Sequence, residues 1–268
     1  MTSKDIARFI GKHIWLRKLG YLFIRLTTLR EWYIHRALNR ILRKRRCEVA
    51  ALDAGFGLGQ HTYYLARRAE VTRVTAIELD GVQLSDMAYF LHSEGFVNVD
   101  LRAGDIQEVE LYGSFDLIVC CSVLEHLTDD VTLLRRFHSL LTPGGNLLIY
   151  VPTSEQRVLK CLENKIAVMT RALGEALPHG HVRYDQPPAL LQKLAQTGFD
   201  ITGVEISYGP WGRLAYDVVT MVQFSRFFKV IFPVYLILIH PFVMILMLVD
   251  FYRKNEEGNG LLVVAQRP

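Results

Sequence analysis

Cysteines in metal-ligand spacing are missing from this chain. The four that occur, Cys47, Cys120, Cys121 and Cys161, make no metal-binding pattern, so no metal site is expected. Cys120 and Cys121 adjoin on an expected buried strand and read as core filler, which suits a reducing compartment. A secretory leader is not expected either, because charged and polar residues interrupt the first apolar stretch. Acidic residues are scarce at the start: Asp5 and Glu31 face 13 Lys and Arg in residues 1–46, a balance of +11. The remainder carries −7, so the overall +4 conceals a basic arm on an acidic body. Apolar residues are plentiful at 50% of 268, enough for one large α/β core with additions.

The central motif is Asp53-Ala54-Gly55-Phe56-Gly57-Leu58-Gly59, directly after the apolar run Val49 to Leu52. A strand, a glycine turn and a helical pattern over Thr62 to Arg68 describe a nucleotide cradle at a strand's carboxyl end. Side chains on those glycines would hold a ligand away from the backbone N–H groups of the helix N-terminus. The spacing is G-x-G-x-G, whereas a pyrophosphate fingerprint reads G-x-G-x-x-G. The acid two residues before the first glycine repels a pyrophosphate and suits an ammonium or sulfonium. A second apolar run, Val74 to Ile77, ends in Glu78, where a carboxylate accepts both hydroxyls of a ribose. Leu101 to Ile106 reads as a third strand ending at Asp105, and Phe115 to Cys120 as a fourth, followed by Cys121-Ser122-Val123-Leu124-Glu125-His126. A helix capped at Thr128 then runs to Thr142-Pro143-Gly144-Gly145, ahead of a fifth strand, Asn146 to Val151.

With these elements in this order, the chain resembles the class I S-adenosylmethionine-dependent methyltransferases over about Cys47 to Phe199 plus Gly260 to Ala265. Val123-Leu124-Glu125-His126 resembles the branch acting on quinones and other small or lipid-like acceptors. The resemblance implies a Rossmann-like α/β fold with a seven-stranded sheet ordered 3-2-1-4-5-7-6, the last strand antiparallel. It implies S-adenosyl-L-methionine as cofactor, with Asp53, Gly55, Gly57 and Gly59 around the methionine end and Glu78 on the ribose. Leu79 would pack on the adenine, Asp105 and Ile106 would meet its edge, and the Cys121 backbone would touch the cofactor. Phe56 departs from the small residue or cysteine common there and is expected to pack beside the ligand.

Two regions point at a membrane. Apolar residues recur at helical spacing from Ile6 to Ile41 with Lys and Arg between them, the composition of an interfacial helix in anionic headgroups. A helix covering the cofactor cleft is the other reading. Nucleic acid is not expected as a partner, because the interleaved residues are mainly aliphatic. The second region, Val230 to Val249, holds 20 residues without a formal charge. A simple span conflicts with the strand Gly260 to Ala265, which must pair near Phe199 to Ser207 in one sheet. Arg226 and Lys229 before the run and Arg253 and Lys254 after it make both flanks basic. Pro233 and His240-Pro241 are expected to break the helix into pieces of about ten residues, too short to cross. A shallow re-entrant hairpin, an in-plane helix or a buried cap remain.

The expected organisation is a basic arm (1–46), a methyltransferase domain (47–207 with 258–268) and an apolar insertion (208–257). The expected activity is methylation, with oxygen the favoured atom, of a lipid-like acceptor at the cytoplasmic face of a membrane. The alternatives are a soluble metabolite as acceptor, or a membrane-bound scaffold that binds cofactor without turnover. A base is needed only for an acceptor proton of high pKa. His181, in His179-Gly180-His181-Val182-Arg183-Tyr184, is the candidate, with His126 the second.

Overall fold

The computed structural model describes residues 13–45, 48–153, 187–223, 225 and 232–268. The described arm forms two helices, α1 (Ile14–Thr27) and α2 (Leu29–Lys44), where the spacing predicts one. The break is Thr28, extended at φ −118° and ψ 110°. Consecutive β-branched Thr27 and Thr28 crowd the helical turn, and Trp32 Nε1 donates to the Arg25 carbonyl across the bend at 2.7 Å.

Alternating strands and helices follow: β1 (Val49–Ala54), α3 (Gln60–Ala66), β2 (Val71–Glu78), α4 (Gly81–Ser93), β3 (Val99–Ala103) and β4 (Phe115–Cys121). Then come α5 (Asp130–Leu140), β5 (Leu141–Pro152), α6 (Pro187–Gln196), β6 (Asp200–Ser207), α7 (Pro210–Gln223), α8 (Phe232–Tyr252) and β7 (Gly260–Gln266). The seven strands form one sheet in the order β3-β2-β1-β4-β5-β7-β6. β7 runs antiparallel to both neighbours, as the resemblance implies. The inner strands are apolar on both faces because both are covered. Along β4, Leu117 and Val119 face α2, α7 and α8, while Ile118 and Cys120 face α5 and α6.

Several boundaries differ from the sequence pattern. α3 starts at Gln60 because Gly59, left-handed at φ 82°, turns the chain directly into the helix. β3 stops at Ala103, leaving Asp105 on a loop. The cap of α5 is Asp129 and not Thr128: its carboxylate accepts from Thr132 N at 3.1 Å. β5 begins at Leu141, at once after α5, and takes in the Pro-Gly-Gly segment.

The insertion leaves and returns at one sheet edge, for Ser207 at the end of β6 pairs with Gly260 at the start of β7. Within it, α8 is not broken at its prolines. Tyr235 to Ile239 widen into a π turn, with His240 N–H donating to the Tyr235 carbonyl. Pro241 lacks an N–H and crowds the carbonyl four residues back; the wider turn accommodates both defects while the helix continues. Tyr235, His240, Val243, Met247 and Asp250 are buried. Asp250 fixes the helix: its carboxylate accepts from Gly212 N at 2.9 Å, Tyr33 Oη at 3.3 Å and Asn255 Nδ2 at 3.2 Å. Its outer side is a band of exposed apolar residues, Ile237 and Phe242 among them.

Candidate functional site

The carboxyl ends of the parallel strands open into a cavity of about 390 Å³, the usual ligand position in such sheets. Its lining follows strand order. Asp105 and Ile106 follow β3, Glu78 and Leu79 end β2, Gly55 to Leu58 follow β1, Cys121, Ser122 and His126 follow β4, and Tyr150 comes from β5.

The glycine loop is shaped by two different demands. Gly57 has φ 54°, and a Cβ there would meet no atom within 4 Å, so a side chain would project into open cavity. Gly59 does not line the cavity; its Cβ would lie 2.5 Å from Met87 Sδ, so it serves close packing on α4. Glu78 holds the loop to β2. Its Oε2 accepts from Gly57 N at 2.7 Å, and its Oε1 accepts from Leu79 N at 2.9 Å and Asp80 N at 3.1 Å. One oxygen keeps acceptor capacity toward the cavity. Asp53 lies behind the loop, buried and outside the lining, where Thr62 Oγ1 donates to it at 2.6 Å. Burial pushes its pKa up, opposed by His61 and the Thr62 hydrogen bonds.

Seven residues expected around the cofactor therefore line one cavity: Gly55, Gly57, Glu78, Leu79, Asp105, Ile106 and Cys121. Asp53 and Gly59 support it from behind. His126 lines it beside Cys121 and Ser122. His181, with His179, Arg183 and Tyr184, lies outside the described residues. No group of three metal-ligating side chains occurs among the described residues.

A polar cluster at the β4–β5 side escaped the sequence reading. Arg30 and His61 line the cavity, and the buried Glu31 joins them, 3.4 Å from Arg30 Nε and 3.0 Å from His61 Nε2. Burial alone would raise the Glu31 pKa, yet His61, Arg30 and His35 hold it down at about 2. Burial disfavours the charged His61 ring, but Glu31 and Cys121 outweigh it and raise its pKa well above the ordinary value. Glu31 and His61 are thus an ion pair at neutral pH. One signal was available: Glu31 is the sole acid after Asp5 in the basic arm. Glu125 is also buried, and burial pushes its pKa up to about 7 against a backbone hydrogen bond and Arg30.

Residues 51–145 match a family model described as a methyltransferase domain. A ubiquinone biosynthesis O-methyltransferase of Xanthomonas axonopodis pv. citri is 29% identical over 167 residues, covering 61% of this chain and 68% of that protein. Its namesake in Xanthomonas campestris pv. campestris is 37% identical over 100 residues, covering 37% of this chain and 41% of that protein. Among solved structures, Haemonchus contortus phosphoethanolamine N-methyltransferase 2, in complex with S-adenosyl-L-methionine, superposes with TM-score 0.61. It is 19% identical, with 88% of this chain and 53% of that chain covered. The [4+2]-cyclase SpnF superposes with TM-score 0.57 at 19% identity, covering 87% and 80% of the two chains. At such identities the structures show the fold alone. The empty space before Gly57 and the Glu78 acceptor suit a nucleoside ligand. Family match, curated relatives and strand order together indicate a class I S-adenosylmethionine-dependent methyltransferase, with S-adenosyl-L-methionine as its cofactor.

Proposed function

We propose that the chain methylates a hydroxyl of an amphipathic, lipid-like acceptor at a membrane surface. The observation that carries this is α8: only 22% of its most apolar stretch is buried. Its buried residues recur from Tyr235 to Asp250, so one stripe lies against the body along most of its length. Such a helix lies in a surface and does not project from it. The ubiquinone-related names of the relatives favour a quinone-like acceptor and transfer to oxygen.

Bound S-adenosylmethionine supplies an electrophilic methyl carbon; the protein's work is alignment and exclusion of water. Glu78 would accept from the ribose, Leu79, Asp105 and Ile106 would hold the adenine, and Gly55, Gly57 and the Cys121 backbone would face the methionine end. Asp53 and Gly59 would act by shaping the loop. Arg30 and protonated His61 put positive charge at the β4–β5 side, suited to the methionine carboxylate. His181 is proposed as the base for the acceptor hydroxyl, with His126 as the second candidate. His181→Ala should slow transfer by about 10²–10⁴ while cofactor affinity changes little. A loss confined to His126→Ala would move the assignment to that residue.

The reading is tested by incubating the protein with a membrane lipid extract and methyl-labelled cofactor. Label in the organic-soluble fraction is expected. Label confined to water-soluble products would favour the soluble-metabolite reading, and cofactor binding without transfer would favour the scaffold.

A further inference from the structure

The geometry points to α1 as a latch on the cofactor loop whose outer face seats on an anionic lipid bilayer, so that bilayer binding and cofactor binding reinforce each other. This rests on the membrane-surface reading and adds a linkage to it. Leu58, at the tip of the glycine loop, presents its carbonyl to α1. Tyr21 Oη donates to that oxygen at 2.7 Å and Arg17 Nη2 at 3.0 Å. Arg17 Nε donates to Tyr21 Oη at 2.7 Å and Nη1 to the Asp86 carbonyl at 2.8 Å, joining loop, α1 and α4. Both side chains are buried at the inner face of the helix. Leu58 itself lines the cavity, so the latch acts on a segment that would touch the cofactor.

The outer face of the same helix carries Trp15, Leu19, Leu22, Phe23 and Leu26, from 39% to 65% exposed. Phe23 meets Phe232 at 6.0 Å between ring centres, which continues this face into the exposed band of α8. Charge selects the occupant. The arm of residues 1–46 carries +11, which an anionic bilayer attracts at about 1 kcal/mol for each basic residue near its surface. A Trp, Phe and Leu face flanked by cations is the pattern of an interfacial helix. A bilayer that holds α1 in its seated position also holds Leu58, and by linkage cofactor that orders the loop favours the seated helix by the same factor.

The test measures S-adenosylhomocysteine affinity of the full chain with and without vesicles of equimolar phosphatidylcholine and phosphatidylglycerol, alongside vesicle co-sedimentation. About fivefold tighter binding or more is expected with the anionic vesicles, within the usual range of coupling. Tyr21→Phe keeps the ring and removes the donated hydrogen bond; it should still sediment but lose most of the tightening. Leu22→Glu, which unseats α1 but leaves α8 to attach, should keep the vesicle-free affinity and lose most of the tightening. Wild-type protein that sediments while its affinity stays constant would overturn the latch and leave the membrane reading standing. Wild-type protein that ignores both vesicle types would overturn both. Equal tightening by pure phosphatidylcholine would overturn the anionic bilayer as the occupant.

Discussion

Single residues at this site act by fixing their neighbours. Glu78 accepts three backbone N–H groups, so it sets the glycine loop and the turn after β2 together. Glu78→Ala should weaken cofactor binding by about 1–3 kcal/mol, read by calorimetry, with part of the loss coming from a loosened loop. Unchanged affinity would remove Glu78 from the site. Gly57→Val should abolish binding while circular dichroism stays native, because the side chain would project into the open space a cofactor fills and the left-handed turn adds only local strain. The Glu31–His61 pair is of another kind. Removing one member of a buried pair strands the other charge, so Glu31→Gln should cost about 3–5 kcal/mol in urea unfolding. The pH dependence follows from two opposite shifts. Glu31, lowered from 4.5 to about 2, contributes stability present above pH 4.5 and lost as pH falls through about 2. His61, raised above 6.5, contributes stability present below pH 6.5 and lost as pH rises through its folded pKa. The stability difference between wild type and Glu31→Gln should therefore be largest between pH 4.5 and 6.5. A difference that fails to shrink as pH falls from 4.5 toward 2, and again as pH climbs above 6.5, would deny the pair its charges.

Elements were legible where one local rule decided them. Val49 to Leu52 running into glycines, and the apolar run ending at Glu78, announce strands and their loops because covered parallel strands are apolar throughout. The order of those signals carries the family resemblance, and it is the resemblance that implies the sheet order and the seven residues found lining the cavity. The cluster of Arg30, Glu31 and His61 was not legible, because no sequence spacing relates α2 to α3; only their packing brings the charges together. The place of Asp53 behind the loop is not legible for a similar reason: the spacing puts an acid before the glycines, but Thr62 from the next helix decides which way it is held. The length of α8 was misjudged because proline rules assume a regular α-helix, and the π turn at Tyr235 to Ile239 relieves Pro241. Docking of that helix depends on Asp250, whose carboxylate reaches α2, α7 and the segment after α8. Asp250→Ala leaves buried donors unpaired, about 1–3 kcal/mol for each one that finds no substitute. It should admit protease cleavage around α8 at concentrations where wild type stays intact. Equal resistance would mean that apolar packing alone holds the helix.

At the scale of the whole molecule, the sheet constrains how the chain can meet a bilayer. β7 lies between β5 and β6, and Ser207 pairs with Gly260, so residues 208–259 form an excursion from one edge. The 21 residues of α8 are long enough to cross a hydrocarbon core, but a single crossing would put its two ends on opposite sides. The strands beyond those ends are hydrogen-bonded neighbours, and a sheet divided by a bilayer is excluded by its unsatisfied backbone groups. On the proposed membrane-surface reading, the helix would therefore lie along the bilayer, with its band of exposed apolar residues among the headgroups and its Tyr235-to-Asp250 stripe against the protein. Cysteines placed at Ser225 and Asn259 should then both react with an impermeant maleimide applied from one side of sealed vesicles, and neither from the other. Raising the salt should weaken attachment without abolishing it, since the basic arm supplies a screened electrostatic part, about 1 kcal/mol per basic residue near the surface. Ile237→Glu with Phe242→Glu should leave attachment that high salt releases, since the screened charges act alone once the exposed apolar band is interrupted. Labels reacting from opposite sides would establish a crossing and break the single sheet on which the active-site geometry depends.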